Sequence, residues 1–419
     1  MKIIHTSDWH LGKKLYGRNR YEESERFLNW LIDIIEKESA DALLISGDIF
    51  DTVSPSNKAL EQYYGFLYRV SATCCENIII TAGNHDSPSL LNAPKELLKA
   101  FNIHVVGNAA DDPDSEAIII NIKDKTQGAV VCAVPYLREK DIRTVNDEES
   151  CDDKSRRMLE GIKEHYSCVM SCADAKSRIT EHQGLEKLPI VVMGHLFAAG
   201  GTTVSGDGVR EIYVGNLEKA GCDIFPENID YLALGHLHVP QKVFGCENKR
   251  YCGSPIPIGF SEAKQKKMVI AVEFLNGKTA IKEIYVPSFR KLWTISGNID
   301  EIRDQILELN FSGIKAPDTL RTWAEVIYTG NTVAGDLREI ILEMTNNSFV
   351  DILRIKNESL ADGILRSSFE GESLDSLSEY DVFERCLESS GVDTGQWTEL
   401  KETFSEALTL LHEEDFFKE

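Results

Sequence analysis

The chain has no apolar run approaching the ~20 residues of a membrane-spanning helix, so its 419 residues predict no bilayer segment and no membrane partner. It has no Gly-x-x-x-x-Gly-Lys-Ser/Thr phosphate loop, the backbone cradle that a P-loop ATPase needs, and no nucleotide is expected to bind here. Its ten cysteines make no disulfide framework, because Cys74 and Cys75 are adjacent and the rest are scattered. Cys168 and Cys172 lack the second pair that would complete a zinc site. Met1-Lys2 leads directly into a strand with no signal sequence, and scattered thiols suit a reducing compartment, so a cytoplasmic location is expected. Positive charge is also short, with 45 bases against 68 acids and a net charge of −23.

Histidine is scarce too, yet five of the ten fall in ordered motifs. These are Asp8-Trp9-His10, Gly47-Asp48-Ile49-Phe50-Asp51, Gly83-Asn84-His85-Asp86, Gly194-His195 and Gly235-His236-Leu237-His238. A short apolar run precedes each one: Ile3-Ile4, Ala42–Ile45, Ile78–Ile80, Ile190–Met193 and Tyr231–Leu234. Such runs read as buried strands feeding loops, and α/β folds gather ligands at the carboxyl ends of strands. His5 sits inside its strand and reads as a core histidine; His104, His165, His182 and His412 have no ligand partners in sequence.

The donor types suit two divalent cations. Carboxylate, imidazole and amide oxygen favour Mn, with Fe or Zn as alternatives, over Mg or Ca. Asp8 and His10, two apart on a segment expected to be extended, face one way and are assigned with His238 to the first ion. Asn84, His195 and His236 are assigned to the second, and Asp48 bridges them. Two ions ~3.5–4 Å apart clamp the attacking and leaving oxygens and bring the pKa of bound water toward ~7, so a metal-bound hydroxide is the expected nucleophile. His85 is assigned as general acid or charge stabiliser, with the Asp51 side chain fixing its tautomer.

This ordered set resembles the calcineurin-like metallophosphoesterase superfamily. Asp8–Lys13, Gly47–Asp51 with Pro55-Ser56, the Tyr231–Gln241 stretch, and Gly253-Ser254-Pro255 followed by Phe260-Ser261-Glu262 are similar to its SbcD branch. That branch comprises the nuclease subunits of bacterial SbcCD complexes. The resemblance runs through most of residues 1–290 and implies an α/β fold, a two-sheet sandwich flanked by helices. It also implies exonuclease action on duplex ends, endonuclease action on single strands or hairpins, a homodimer, and an SbcC-like coiled-coil ATPase partner. Leu196–Gly215 departs from the branch, and Asp111–Glu116 and Arg143–Lys154 read as variable surface loops.

The charge deficit bears on DNA, whose phosphates dominate affinity. Residues 291–419 hold 27 acids and 11 bases, which leaves only −7 of the −23 for residues 1–290. Lys13, Lys14, Arg18 and Arg20, beside the first motif, are the candidate DNA contacts; Lys264, Lys266 and Lys267 form a second basic cluster.

Four segments are expected: a nuclease domain over 1–287, a small α/β capping domain over 288–365, a polar linker over 366–378 and C-terminal helices over 379–419. In the cap, Lys291–Ser296, Trp323–Tyr328 and Phe349–Lys356 read as strands, and Asn298–Leu309 and Gly335–Met344 as helices. In the tail, Tyr380, Phe383 and Leu387, then Trp397, Leu400, Phe404, Leu408 and Leu411, repeat at helical spacing. The stripe is assigned to docking on the ATPase.

A DNA nuclease for repair or recombination is the leading reading. One alternative is a phosphodiesterase or phosphatase for a smaller substrate; against it, Asp51 is followed by Thr52-Val53 rather than the Arg-Gly of protein phosphatases. A non-catalytic DNA-tethering protein would lack a ligand, and none is missing.

Overall fold

The computed structural model describes residues 1–122, 128–142, 151–182, 187–198, 224–312, 320–330, 337–346 and 348–357, with isolated residues between Tyr380 and Ser405. Two six-stranded sheets carry the first 290 residues. In the first, Lys2–Thr6, Ala42–Ser46, Asn77–Thr81 and Ile103–Val106 run parallel. Met268–Leu275 and Lys278–Tyr285 add to it antiparallel. In the second, Ala129–Ala133, Ile190–His195, Tyr231–Gly235 and Lys249–Tyr251 are parallel, with antiparallel edges at Ala117–Ile120 and Gln241–Lys242.

The sheets face each other across Ile3, Leu44, Ile79, Val131, Val191, Met193, Ala233 and Ile270. The opposite faces pack on helices, as period-2 alternation requires. Ile4, Leu43, Ile45, Ile78 and Ile80 meet Phe27, Leu28, Leu31 and Ile35 of helix Tyr21–Glu38 and Phe66, Leu67 and Val70 of helix Asn57–Val70. The second helix is capped by Ser56 Oγ, which accepts from the Ala59 N–H at 3.2 Å. Central strands buried on both faces explain why the sequence shows continuous apolar runs rather than alternation.

Helix Cys151–His182 covers the second sheet with Met158, Ile162, Tyr166, Val169 and Ala173. It overturns the reading of Arg143–Lys154 as a loop throughout, since the helix already starts at Cys151. Cys168 is exposed and Cys172 half-buried on this helix. No helix among the described residues is long and apolar enough to cross a membrane.

By compactness the chain divides into Met1–Trp293 with Pro317–Thr322, and Thr294–Ala316 with Trp323–Glu419. The second unit holds all but the first residues of two strands of a three-stranded sheet, Leu292–Gly297, Thr322–Tyr328 and Val350–Asn357. Helices Ile299–Ser312 and Leu337–Met344 close its core over Ile295, Ile302, Ile306, Val326 and Ile341. These elements sit within three residues of their sequence-derived bounds.

In the tail, the Phe383 and Phe404 rings stack at 4.0 Å, Tyr380 stands edge-on to Phe404 at 5.8 Å, and Tyr380 Oη donates to Ser405 Oγ at 2.7 Å. Part of the aromatic stripe is therefore used between the two tail segments. Leu387 is buried, whereas Tyr380 and Leu400 remain exposed; Leu408 and Leu411 lie outside the described residues.

Candidate metal centre

All five motifs leave strand ends on the same edge of the sandwich. Trp9 anchors the first loop from below: its indole N–H donates to Thr6 Oγ1 at 2.9 Å, and the ring stands edge-on to Phe27 and Phe66. The loops then bind one another. Asp8 N–H donates to Gly47 O and His10 N–H to Asp48 O, both at 3.0 Å. His85 N–H donates to Asp48 Oδ1 and His236 N–H to Asp8 Oδ1, both at 2.9 Å.

Close approach dictates the glycines. A Cβ on Gly235 would lie 1.9 Å from Ser46 O, and one on Gly83 would lie 2.1 Å from Asp48 Oδ1. Asp8, His10, Asp48 and His236 have φ of 53°, 45°, 50° and 95°. The first motif is therefore not the extended segment that its spacing suggested; two left-handed residues turn Asp8 and His10 into the site.

Donor atoms of Asp8, His10 and His238 lie within 4.8 Å of one another, as do those of Asp8, Asp48 and His195. His10 Nε2 and His238 Nε2 face each other at 3.2 Å. Asn84 Oδ1 lies 3.0 Å from both His195 Nε2 and His236 Nδ1. Asp48 Oδ2 stands between the two sets, 3.3 Å from His195 Nε2 and 3.7 Å from His10 Nε2. The seven side chains expected as ligands thus converge.

Buried carboxylates and imidazoles brought together without apolar filling require compensating charge, and two divalent cations fit this donor set. Burial would lower the pKa of His195, but the Asp48 carboxylate outweighs it and raises it to about 9. Burial, then the His195 charge, lowers His236 to about 3. His10 is lowered by burial against the pull of Asp51 and Asp48. The Asp48 carboxylate thus draws positive charge toward His195, the charge that a cation would supply.

The expected link between His85 and the Asp51 side chain is corrected. His85 Nδ1 lies 2.8 Å from the Asp51 backbone carbonyl, while the carboxylate faces His10 Nδ1 at 3.3 Å and Lys13 Nζ at 2.9 Å. Of the candidate DNA contacts, Lys14 and Arg18 are exposed. Arg20 is buried: it binds Glu23 at 2.5 Å and the Pro257 carbonyl at 2.5 Å, a structural ion pair shared with Arg290. Lys267 is buried as well. It reaches Glu262 at 2.5 Å and His238 O, Ser254 Oγ and Gln265 Oε1 at 2.9 Å each.

Two residues near the centre carried no role in the sequence reading. Glu262 is wholly buried and its Oε1 faces His238 Nδ1 at 3.4 Å; no spacing rule links them, although Glu262 closes the Phe260–Glu262 motif. Asp86 accepts N–H bonds from Gly83, Phe50 and Ile49 at 2.8, 3.0 and 3.2 Å, tying two motif loops together. Burial, then the Asp48 charge, raises its pKa to about 7. Its place three residues after Gly83 was the available signal. His5 bonds Tyr231 Oη at 2.9 Å, and burial lowers its pKa to about 3, as befits a core histidine.

Residues 1–240 match the calcineurin-like phosphoesterase family, and residues 288–390 match the type 5 capsule protein repressor C-terminal domain. The chain is 33% identical over 412 residues to SbcD of the nuclease SbcCD from Escherichia coli (strain K12), covering 98% of both chains. It is 32% identical over 306 residues to SbcD of the nuclease SbcCD from Bacillus subtilis (strain 168), covering 72% of this chain and 74% of that one. Among solved structures it is similar to a dimetal phosphatase from Danio rerio, with 11% identity and a TM-score of 0.41, covering 68% of this chain and 96% of that one. With a family match across more than half its length and a full-length relative at a third identity, the chain belongs to the calcineurin-like phosphoesterases and, within them, to the SbcD family of SbcCD nucleases.

Proposed function

We propose that this chain is a metal-dependent DNA phosphodiesterase that works with an SbcC-like coiled-coil ATPase. The observation that carries the proposal is the convergence of Asp8, His10, Asp48, Asn84, His195, His236 and His238 from five loops onto one cluster. Asp8, His10 and His238 would hold one cation and Asn84, His195 and His236 the other, with Asp48 between them. The mixed set of carboxylate, amide oxygen and imidazole suits Mn, with Fe or Zn as alternatives. Bound cations would supply Lewis acidity and water activation.

The chain's own residues do the rest. A carbonyl can only accept, so the Asp51 main-chain oxygen fixes the proton of His85 on Nδ1. Nε2 then faces the reacting groups, and in the imidazolium form, which carries a second proton there, it delivers that proton to the leaving alkoxide and returns to the neutral Nδ1–H form. Asp51 orients His10 through its carboxylate, in the manner of acids behind metal-binding imidazoles.

Residues 1–287 form the catalytic domain in this reading and 288–365 the cap that selects DNA. Residues 366–378 link them to the docking helices of 379–419. Cleavage would be exonucleolytic on duplex ends and endonucleolytic on hairpins, in a cytoplasmic homodimer. Full-length likeness to a nuclease component, tail included, supports this over a small-substrate phosphodiesterase. The test is Mn-dependent cleavage of hairpin and blunt duplexes, with and without the ATPase and ATP, beside a panel of nucleotides. Cleavage of nucleotides alone would overturn the proposal.

A further inference from the structure

Arg138 has no assigned role, and its surroundings are unusual for a chain this acidic. It follows strand Ala129–Ala133, five residues past its end. Its Nη2 donates to the carbonyl of Asp86, the residue after His85, at 3.1 Å. Its guanidinium lies over the Tyr136 ring, 5.9 Å from the centroid, and that ring stands edge-on to His195 at 6.3 Å. The Tyr136 N–H donates to Ala82 O at 2.8 Å, which seats this segment against the Asn84-His85 loop.

Among the described residues, no acid answers the charge of Arg138. Its backbone N–H caps onto Asp141 Oδ2 at 3.0 Å, but its guanidinium makes no ion pair among the described residues, and its Nη1 has no hydrogen-bond partner. Asp86 does not compensate it, because its carboxylate is taken by the N–H groups of Gly83, Ile49 and Phe50. By contrast, Arg20, Arg250 and Arg290, also at the sandwich, each hold a glutamate. An arginine left unpaired beside a centre built for two dications is repelled by them unless an anion lies across both. A planar guanidinium is suited to phosphate.

We propose that Arg138, backed by Tyr136, binds the phosphate next to the scissile one in a nucleic-acid strand. The inference rests on the nuclease reading above. The scissile phosphate must reach the cluster around Asp48, Asn84 and His85. Arg138 is anchored one residue beyond that cluster, on the Asp86 carbonyl, with Tyr136 between it and His195, so it meets the strand at the adjoining phosphate.

The test compares full-length wild type with Arg138→Ala and Arg138→Lys on a single-stranded oligonucleotide and on bis(p-nitrophenyl) phosphate, which has no second phosphate. Arg138→Ala should lower kcat/KM for the oligonucleotide at least tenfold more than for the small diester, mainly through KM. The slope of log(kcat/KM) against log salt should flatten by about 0.7–1, the signature of one lost phosphate contact. Arg138→Lys should restore the slope but only part of the affinity, because the charge returns without the fork. Mn affinity and melting temperature, measured alongside, report a structural role. Equal losses on both substrates, or an unchanged slope in an enzyme that cuts DNA, would overturn this inference alone. A wild type that hydrolyses the small diester and no DNA would overturn the nuclease reading itself.

Discussion

Glu262→Gln should weaken the metal site without touching a ligand. Glu262 is buried, holds Lys267 at 2.5 Å, accepts from the Ile258 N–H at 2.9 Å and faces His238 Nδ1 at 3.4 Å. The amide keeps the volume and removes the charge. Breaking a buried ion pair from one side costs ~3–5 kcal/mol. Lys267 would keep three acceptors at 2.9 Å, His238 O, Ser254 Oγ and Gln265 Oε1, so the cost should fall at the low end, about 3 kcal/mol. Loss of the acid behind a metal-binding imidazole typically costs ~10–100-fold in metal affinity. Denaturant titration reads the first quantity, and calorimetric titration with Mn reads the second. Glu262→Gln with Lys267→Met removes the orphaned cation and should recover much of the stability while Mn affinity stays low. That split separates positioning from packing. Unchanged Mn affinity in the single variant would refute the reasoning, since His238 would then need no acid behind it.

Four further outcomes are expected. His85→Ala should cut phosphodiester hydrolysis by ~10²–10⁴ with Mn affinity retained in calorimetry; an intact rate in a metal-saturated preparation would sink the general-acid role. Arg20→Ala should cost about 2 kcal/mol in denaturant melts, less than a fully orphaned pair because Arg290 still holds Glu23 at 3.0 Å. Lys14→Ala and Arg18→Ala, at exposed positions, should stay within ~0.5 kcal/mol, and a reversed order would contradict the burial. Gly235→Ala places a methyl 1.9 Å from Ser46 O and should cost at least ~1–3 kcal/mol by overpacking and weaken Mn binding; wild-type melting and affinity would contradict that contact. Deleting residues 379–419 should abolish co-purification with the ATPase and leave cleavage of a small phosphodiester, so a retained complex would count against docking.

The sandwich was legible because its central strands are buried on both sides and leave runs such as Leu43-Leu44-Ile45 and Ile78-Ile79-Ile80. The convergence was legible because polar groups follow those runs. What escaped was set by distant contacts. The left-handed turns at Asp8, His10, Asp48 and His236 depend on hydrogen bonds from other loops, and no local propensity announces them. Asp51 was the right residue near His85, but its main-chain oxygen, not its carboxylate, makes the bond. Arg20 and Lys267 look like surface bases in a line of sequence; Glu23 and Glu262, with Arg290 and Ser254, draw them inside. Twelve of the 32 residues of the long helix from Cys151 are charged, and its apolar contact with the second sheet is a narrow row from Met158 to Ala173, so its signal was diluted.

The same cross-links bear on how the centre is assembled. Residues held in left-handed backbone cost ~1–3 kcal/mol each, and four of them cluster here. Against this stand the bonds from Asp8 and His10 to the Asp48 loop, and those from His85 and His236 to the Asp48 and Asp8 carboxylates. Bonds to charged acceptors contribute ~1.5–3 kcal/mol each, so strain and bracing are of one size and the sandwich beneath decides in favour of the folded loops. Each of these two carboxylates spends Oδ1 on a neighbouring loop. Asp48 still turns Oδ2 toward the imidazoles of His10 and His195. The acid in the middle is therefore positioned by backbone hydrogen bonds from other loops, so the ligand-bearing loops brace one another as well as any cation they hold.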